Sequence, residues 1–179
     1  ALSHSFESIW NKNSNSTSTE YAISAISLIL NNVQTLQSNL DNLNTRRNLL
    51  KASTLAGLAF SNTMTAAAHS ISYPLTIKYG IPHGIASSIT LIPLLKINKN
   101  FISEPLNLIC NKNNLSFEEL INVMQSIPKG TISYKLKDWG VRTSDLPSLT
   151  DESFTKGRID NNIVDLNSDD ILKILKSIF

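Results

Sequence analysis

Between Glu20 and Leu40 the apolar side chains fall at Ala22, Ile26, Ile29, Leu30, Val33, Leu36 and Leu40, with Ser, Asn and Gln between them. Steps of three and four residues predict an amphipathic helix. Asp41 or Asn44 is placed to cap a second helix, which runs through Leu49, Ala52, Leu55 and Ala56 to about His69. Pro74 is expected to stop it soon afterwards. Gly80-Ile81-Pro82 reads as a turn, and a third helix follows from near His83 to about Ile97, with a kink or boundary at Pro93. Ser116-Phe117-Glu118-Glu119 is a capping box that opens a helix to about Ser126. Pro128, Gly130, Trp139-Gly140 and Pro147 mark a turn-rich stretch. A last helix follows Asn167 or Ser168, with Asp169 and Asp170 in its first turn and Lys173 and Lys176 near its end, as the helix dipole prefers. No run alternates in the manner of a strand, and no internal repeat is present. The pattern therefore predicts an all-α bundle of about six to nine helices. Ala52–Ser70 should be the central one, with Ala56 and Ala59 buried.

Composition supports a packed interior. Charged residues are 17% of the 179, below the usual ~25%, so much of the chain is expected inside. Net charge is +2, and the only adjacent basic pair is Arg46-Arg47, which argues against nucleic acid as a partner. The single Cys110 excludes an internal disulfide and suits a reducing cytoplasm. Asn is abundant, and its excess is read as a compositional habit. From Ala52 to Leu95 the only charged residue is Lys78, so a membrane span has to be considered. Asn62, His69, Pro74, Lys78 and Pro82 interrupt the stretch, and its apolar residues are mostly Ala. A buried core segment is the better reading.

Two of the three histidines, His69 and His83, stand fourteen residues apart in that uncharged stretch, and the third is His4. A buried imidazole must satisfy two ring nitrogens, and a backbone carbonyl beside each ring would do so. All three, however, are flanked by small residues or proline: Ser3 and Ser5, Ala68 and Ser70, Pro82 and Gly84. Such neighbours leave room beside the ring. His83 also lies at an expected helix N-terminus, where the dipole keeps an imidazole neutral, the form a metal requires. Three readings stay open on the residues alone. They are a three-histidine metal site, a helical interaction or scaffold module with hydrogen-bonded histidines, and a metal-dependent helical hydrolase. The hydrolase would want Asp ligands, and none lies between Lys51 and Glu104.

Three segments carry a resemblance. "ALSHSFESIW" resembles the start of the helical domain of the iron-containing (group III) alcohol dehydrogenase family, whose pattern is Asp-Ala-hydrophobic-Thr/Ser-His followed by a helix. "AGLAFSNTMTAAAHSISYPL" is similar to that family's Ala-Gly-x-x-Phe-x-Asn helix leading to a His and a Pro, and "YGIPHGIASSITLIPLLKIN" to its Pro-His-Gly motif. The motifs occur in the family's order from Ala1 to about Asn100. "DWGV" and "KGRIDNN" resemble its tail more loosely, and "SISYPLT" is most similar to phosphonoacetaldehyde reductase-like members.

The resemblance implies a function and a ligand set. His4, His69 and His83 match the three histidine ligands of Fe²⁺ or Zn²⁺, so their rings are expected to converge. The fourth ligand, an Asp, would fall immediately before Ala1. Tyr73 stands where the family commonly has a further histidine near substrate and nicotinamide, so no catalytic base is assigned. Phe60 is a second pocket candidate, although it lies nine residues before His69 and out of phase with it on a straight helix. No strand–Gly-rich loop–helix unit is present. Residues 1–179 are therefore expected to be the metal-binding half of a cytoplasmic NAD(P)-dependent alcohol dehydrogenase or aldehyde reductase, separated from an N-terminal nucleotide-binding domain and inactive alone. A small alcohol or aldehyde, phosphonoacetaldehyde among the candidates, is the implied substrate. A homodimer is admitted but not required.

Overall fold

The computed structural model describes residues 1–179 and is all-helical, with ten α-helices and no strand. The helices are α1 Leu2–Ile9, α2 Ser16–Ser38, α3 Leu43–Thr63, α4 Ala67–Tyr79, α5 His83–Ala86, α6 Leu91–Asn98, α7 Ser103–Asn113, α8 Phe117–Ser126, α9 Leu146–Glu152 and α10 Ser168–Ser177. This exceeds the expected count, partly because α5 is a single turn of four residues. No helix is long and apolar enough to cross a membrane.

Polar residues at the helix starts set the boundaries. Asn15 caps α2 reciprocally with Ser18, Ser116 caps α8 with Glu119, and Asn167 caps α10 with Asp170. Asn42, rather than Asp41 or Asn44, caps α3 by accepting from the Thr45 N–H at 3.0 Å. A four-residue connection, 39–42, folds α3 back along α2. Ala22, Ala25, Ala52, Ala56 and Ala59 are fully buried, and their small side chains allow the two backbones to approach closely. A single hydrophobic core runs from Phe6 in α1 to Ile178 beyond α10.

The expected central helix Ala52–Ser70 is two helices. The chain breaks at Thr63–Ala66, where Met64 adopts φ 67°, ψ 179°. Three asparagines hold the break open by donating to successive carbonyls: Asn13 to Thr63, Asn11 to Met64 and Asn161 to Thr65. At least here, asparagine is structural and not a compositional habit. Met64 occupies a region of backbone space that is essentially glycine's, at a typical strain of about 1–3 kcal/mol. Its side chain is largely exposed, so little burial would be lost on truncation. Met64→Gly should therefore raise stability by about 1 kcal/mol, after the entropy that glycine adds to the unfolded chain. That corresponds to roughly 2–4 °C in Tm, measured by thermal denaturation.

Pro74 does not end α4. It sits as the helix's eighth residue, buried beside Leu75, and the helix continues to a glycine stop at Gly80 (φ 65°). Pro93 likewise does not kink a helix: it lies in the first turn of α6, where a missing N–H is harmless. The chain from His83 to Ile97 is instead divided at Ser87–Thr90.

Candidate metal centre

The break at Met64 turns the chain so that α4 begins with Ala67-Ala68-His69, placing His69 in its first turn. α1 crosses this end of α4 and contributes His4 and Glu7, which lie three residues apart and therefore on one face of the helix. The single turn α5 begins with His83, just after Pro82. The structure brings the three histidines together. The His4 and His69 ring centroids are 4.6 Å apart and nearly parallel, and those of His69 and His83 are 5.2 Å apart at 54°. Phe60 stacks on the outer face of His4 at 4.2 Å. The phase objection to Phe60 assumed a straight helix, and the break at Met64 removes that assumption.

The cluster runs from interior to surface. His69 is buried, His4 is half-buried and His83 is exposed. The larger clefts of the chain lie elsewhere, among them a 380 Å³ groove lined by Ile92, Pro93, Tyr134 and Ile178.

Glu7 organises the centre, and the sequence reading missed it. Its side chain is fully buried. Oε1 accepts the backbone N–H of His69 at 3.1 Å, and Oε2 pairs with His69 Nδ1. α4 has no capping side chain of its own, so this carboxylate serves as a cap supplied from another helix, at the end where the helix dipole favours negative charge. Pairing at Nδ1 assigns the ring proton there and leaves the lone pair on Nε2. His69 Nε2 is itself buried without a hydrogen-bond partner. A signal was present in the sequence: Glu7 is the only acidic residue before Glu20, one helical turn after His4.

The neighbouring imidazoles are held neutral. Removal from water is the main cause of the low pKa of His4, about 3, with repulsion from His69 and His83 adding to it. His83 is lowered too, first by desolvation and then by His69, with Glu7 acting in the opposite direction. Depressed values mean that protons compete poorly for these nitrogens near neutrality. The donor set therefore suits a divalent ion chemically. Its present geometry does not yet hold one: no group of three or more His, Cys, Asp or Glu side chains is arranged for coordination. The stacking of His4 on His69 gives the reason, since nearly parallel rings do not aim their in-plane lone pairs at one point.

The segment after α9 is fastened to α4 and to the end of α1, two of the three histidine-bearing helices. Ser70 Oγ donates to the Ser153 carbonyl and accepts the Thr155 N–H, Asn161 reaches the Thr65 carbonyl, and Ile163 N–H donates to the Trp10 carbonyl at the end of α1. Asn11 and Asn162 form an isolated antiparallel bridge. Tyr73, one turn beyond His69 on α4, is half-buried, and its hydroxyl accepts from Arg158 Nε at 3.3 Å. Its partner is thus a cation, not the carbonyl a core tyrosine would ordinarily use.

Comparison with known proteins bears on this arrangement. The family model for the C-terminal part of Fe-containing alcohol dehydrogenases matches residues 1–179. The crystal structure of a 1,3-propanediol oxidoreductase superposes with a TM-score of 0.90 at 26% identity, over 99% of this chain and 49% of that one. Sulfoacetaldehyde reductase of Bilophila wadsworthia is 26% identical over 172 residues, 88% of this chain and 44% of that protein. Phosphonoacetaldehyde reductase of Streptomyces viridochromogenes is 33% identical, but over only 98 residues, 55% of this chain and 25% of that protein. The chain spans about half the length of the curated relatives it matches.

Proposed function

Because the chain belongs to the Fe-containing alcohol dehydrogenase family, of which it carries the C-terminal part, we propose that it is the metal-binding half of an NAD(P)-dependent alcohol dehydrogenase or aldehyde reductase. The observation that carries this reading is the buried, partnerless Nε2 of His69, beside two further imidazoles and fixed from behind by Glu7. An orphaned buried polar atom is uncommon, and a metal ion is a natural partner for a lone pair held this way.

His4, His69 and His83 would hold the ion, with an Asp at the position preceding Ala1 as the expected fourth ligand. When bound, a divalent Fe or Zn ion supplies Lewis acidity to the oxygen of the alcohol or aldehyde. The chain's own residues position and enclose: Glu7 sets the tautomer and plane of His69, Phe60 covers the open face of His4, and Tyr73 stands one turn along α4. The nicotinamide would be presented by an N-terminal nucleotide-binding domain on the side where His83 is exposed. The reading places the enzyme in the cytoplasm, in keeping with the free, buried Cys110.

The test uses the complete protein. Loaded with Fe²⁺ or Zn²⁺, it should reduce small aldehydes with NADH or NADPH, lose turnover when stripped by chelator, and recover on reloading. Undiminished turnover after stripping to less than one metal per hundred chains would overturn the proposal.

A further inference from the structure

Arg158 is a half-buried cation with no carboxylate partner. The pairs between side chains of opposite charge elsewhere are Lys12–Asp165, Lys78–Glu152 and Arg142–Asp145, and none involves it. Its contacts are with neutral groups: Nε donates to the Tyr73 hydroxyl, and Nη1 donates to the Gly157 carbonyl at 3.0 Å. A guanidinium has five donors, and removing one part-way from water without an anion is unfavourable unless something else uses the remaining donors.

Its position is built, not incidental. The segment carrying it is held to the chain on both sides of His69, at Thr65 just before α4 through Asn161 and at Ser70 in α4 through Ser153 and Thr155. The same segment is tied to the end of α1, the helix of His4 and Glu7. Gly157, at φ 75°, makes the turn that presents Arg158, and its N–H is satisfied by Asp160. On α4, Tyr73 and His69 are four residues apart and share a face, so the Tyr73 hydroxyl holds the Arg158 guanidinium on the face of α4 that carries His69.

Resting on the proposed reductase reading, we infer that Arg158 is the specificity-determining residue of this site and selects aldehydes that carry an anionic terminus, a phosphonate or sulfonate, close to the carbonyl carbon. The planar guanidinium fork matches such tetrahedral anions through paired hydrogen bonds. A short substrate would then span from the metal centre to the guanidinium, one end reacting and the other end held. Two of the relatives described above are named for aldehydes of this chemistry, one a sulfonate and one a phosphonate.

The experiment compares kcat/KM for phosphonoacetaldehyde, sulfoacetaldehyde and neutral propanal in the complete, metal-loaded enzyme and its variants. The parent enzyme should prefer the two anionic aldehydes. Arg158→Met should lower kcat/KM for them by about 10–100-fold, and for propanal by no more than about twofold, as expected for losing one charge-assisted pair. Arg158→Lys should recover part of the loss. Tyr73→Phe, which frees the guanidinium, should weaken the anionic substrates more than propanal. Equal losses on all three aldehydes, or a parent preference for propanal, would overturn the inference. In parallel, calorimetry of 2-hydroxyethanesulfonate with metal-free protein should detect binding that Arg158→Met abolishes. If no aldehyde is turned over, the reductase reading fails. The calorimetry then decides the anion site independently, with unchanged binding in Arg158→Met counting against it.

Discussion

Glu7→Gln is expected to weaken Zn²⁺ or Fe²⁺ binding by about 10–100-fold, the usual effect of removing the carboxylate behind a ligating imidazole. The geometry makes the expectation sharper than a lost contact would. Both carboxylate oxygens of Glu7 act as acceptors, one for the His69 N–H that opens α4 and one at Nδ1. A glutamine has only one such oxygen. If it keeps the backbone bond, its NH₂ faces Nδ1, which must then become the acceptor. The ring proton moves to Nε2 and occupies the lone pair that the metal needs. If the amide turns around instead, α4 loses its only side-chain cap. Glu7→Asp keeps both acceptors on a shorter arm and should lose less. Chelator competition measures the affinity, and ¹⁵N chemical shifts of His69 in the metal-free protein report the tautomer directly. A Glu7→Gln protein with the parent affinity and the parent tautomer would show that the carboxylate is only a cap.

What the sequence made legible was local chemistry. The capping boxes at Ser116/Glu119 and Asn167/Asp170 operate within four residues, and both helices begin where those residues place them. The break at Thr63–Ala66 was not legible because it contains neither Gly nor Pro. It is held by Asn11, Asn13 and Asn161, whose roles depend on tertiary neighbours. α7 was not assigned from the sequence, and it contains Pro105. The proline lies in the first turn, ahead of a buried Leu106, Ile109 and Cys110 at helical spacing. The centre divides in the same way. Residue type and order along the chain pointed to His4, His69 and His83. Glu7 and Arg158 reach α4 through partners 62 and 85 residues away in sequence.

Trp10→Ala is the largest stability loss expected in the chain, about 3–5 kcal/mol, or roughly 6–20 °C in Tm for a protein of this size. Trp10 is fully buried, packs on Phe6 with ring centroids 5.7 Å apart, and closes α1 where the chain receives the Ile163 N–H. Truncation leaves a cavity at the point where the α1 histidine helix and the Arg158 segment are joined. The indole N–H of Trp10 has no hydrogen-bond partner. Trp10→Phe therefore forfeits volume alone and should cost about 1–2 kcal/mol, less than half as much. Equal losses in the two variants would mean that the indole is held by a polar interaction and not by packing. Added zinc separates packing from site geometry. A ligand that binds only the folded state stabilises it by an amount set by its own affinity. If α1 merely packs, Zn²⁺ should raise the Tm of Trp10→Ala by as much as it raises the parent's. If the position of His4 depends on Trp10, the zinc-induced rise should shrink in Trp10→Ala and persist in Trp10→Phe.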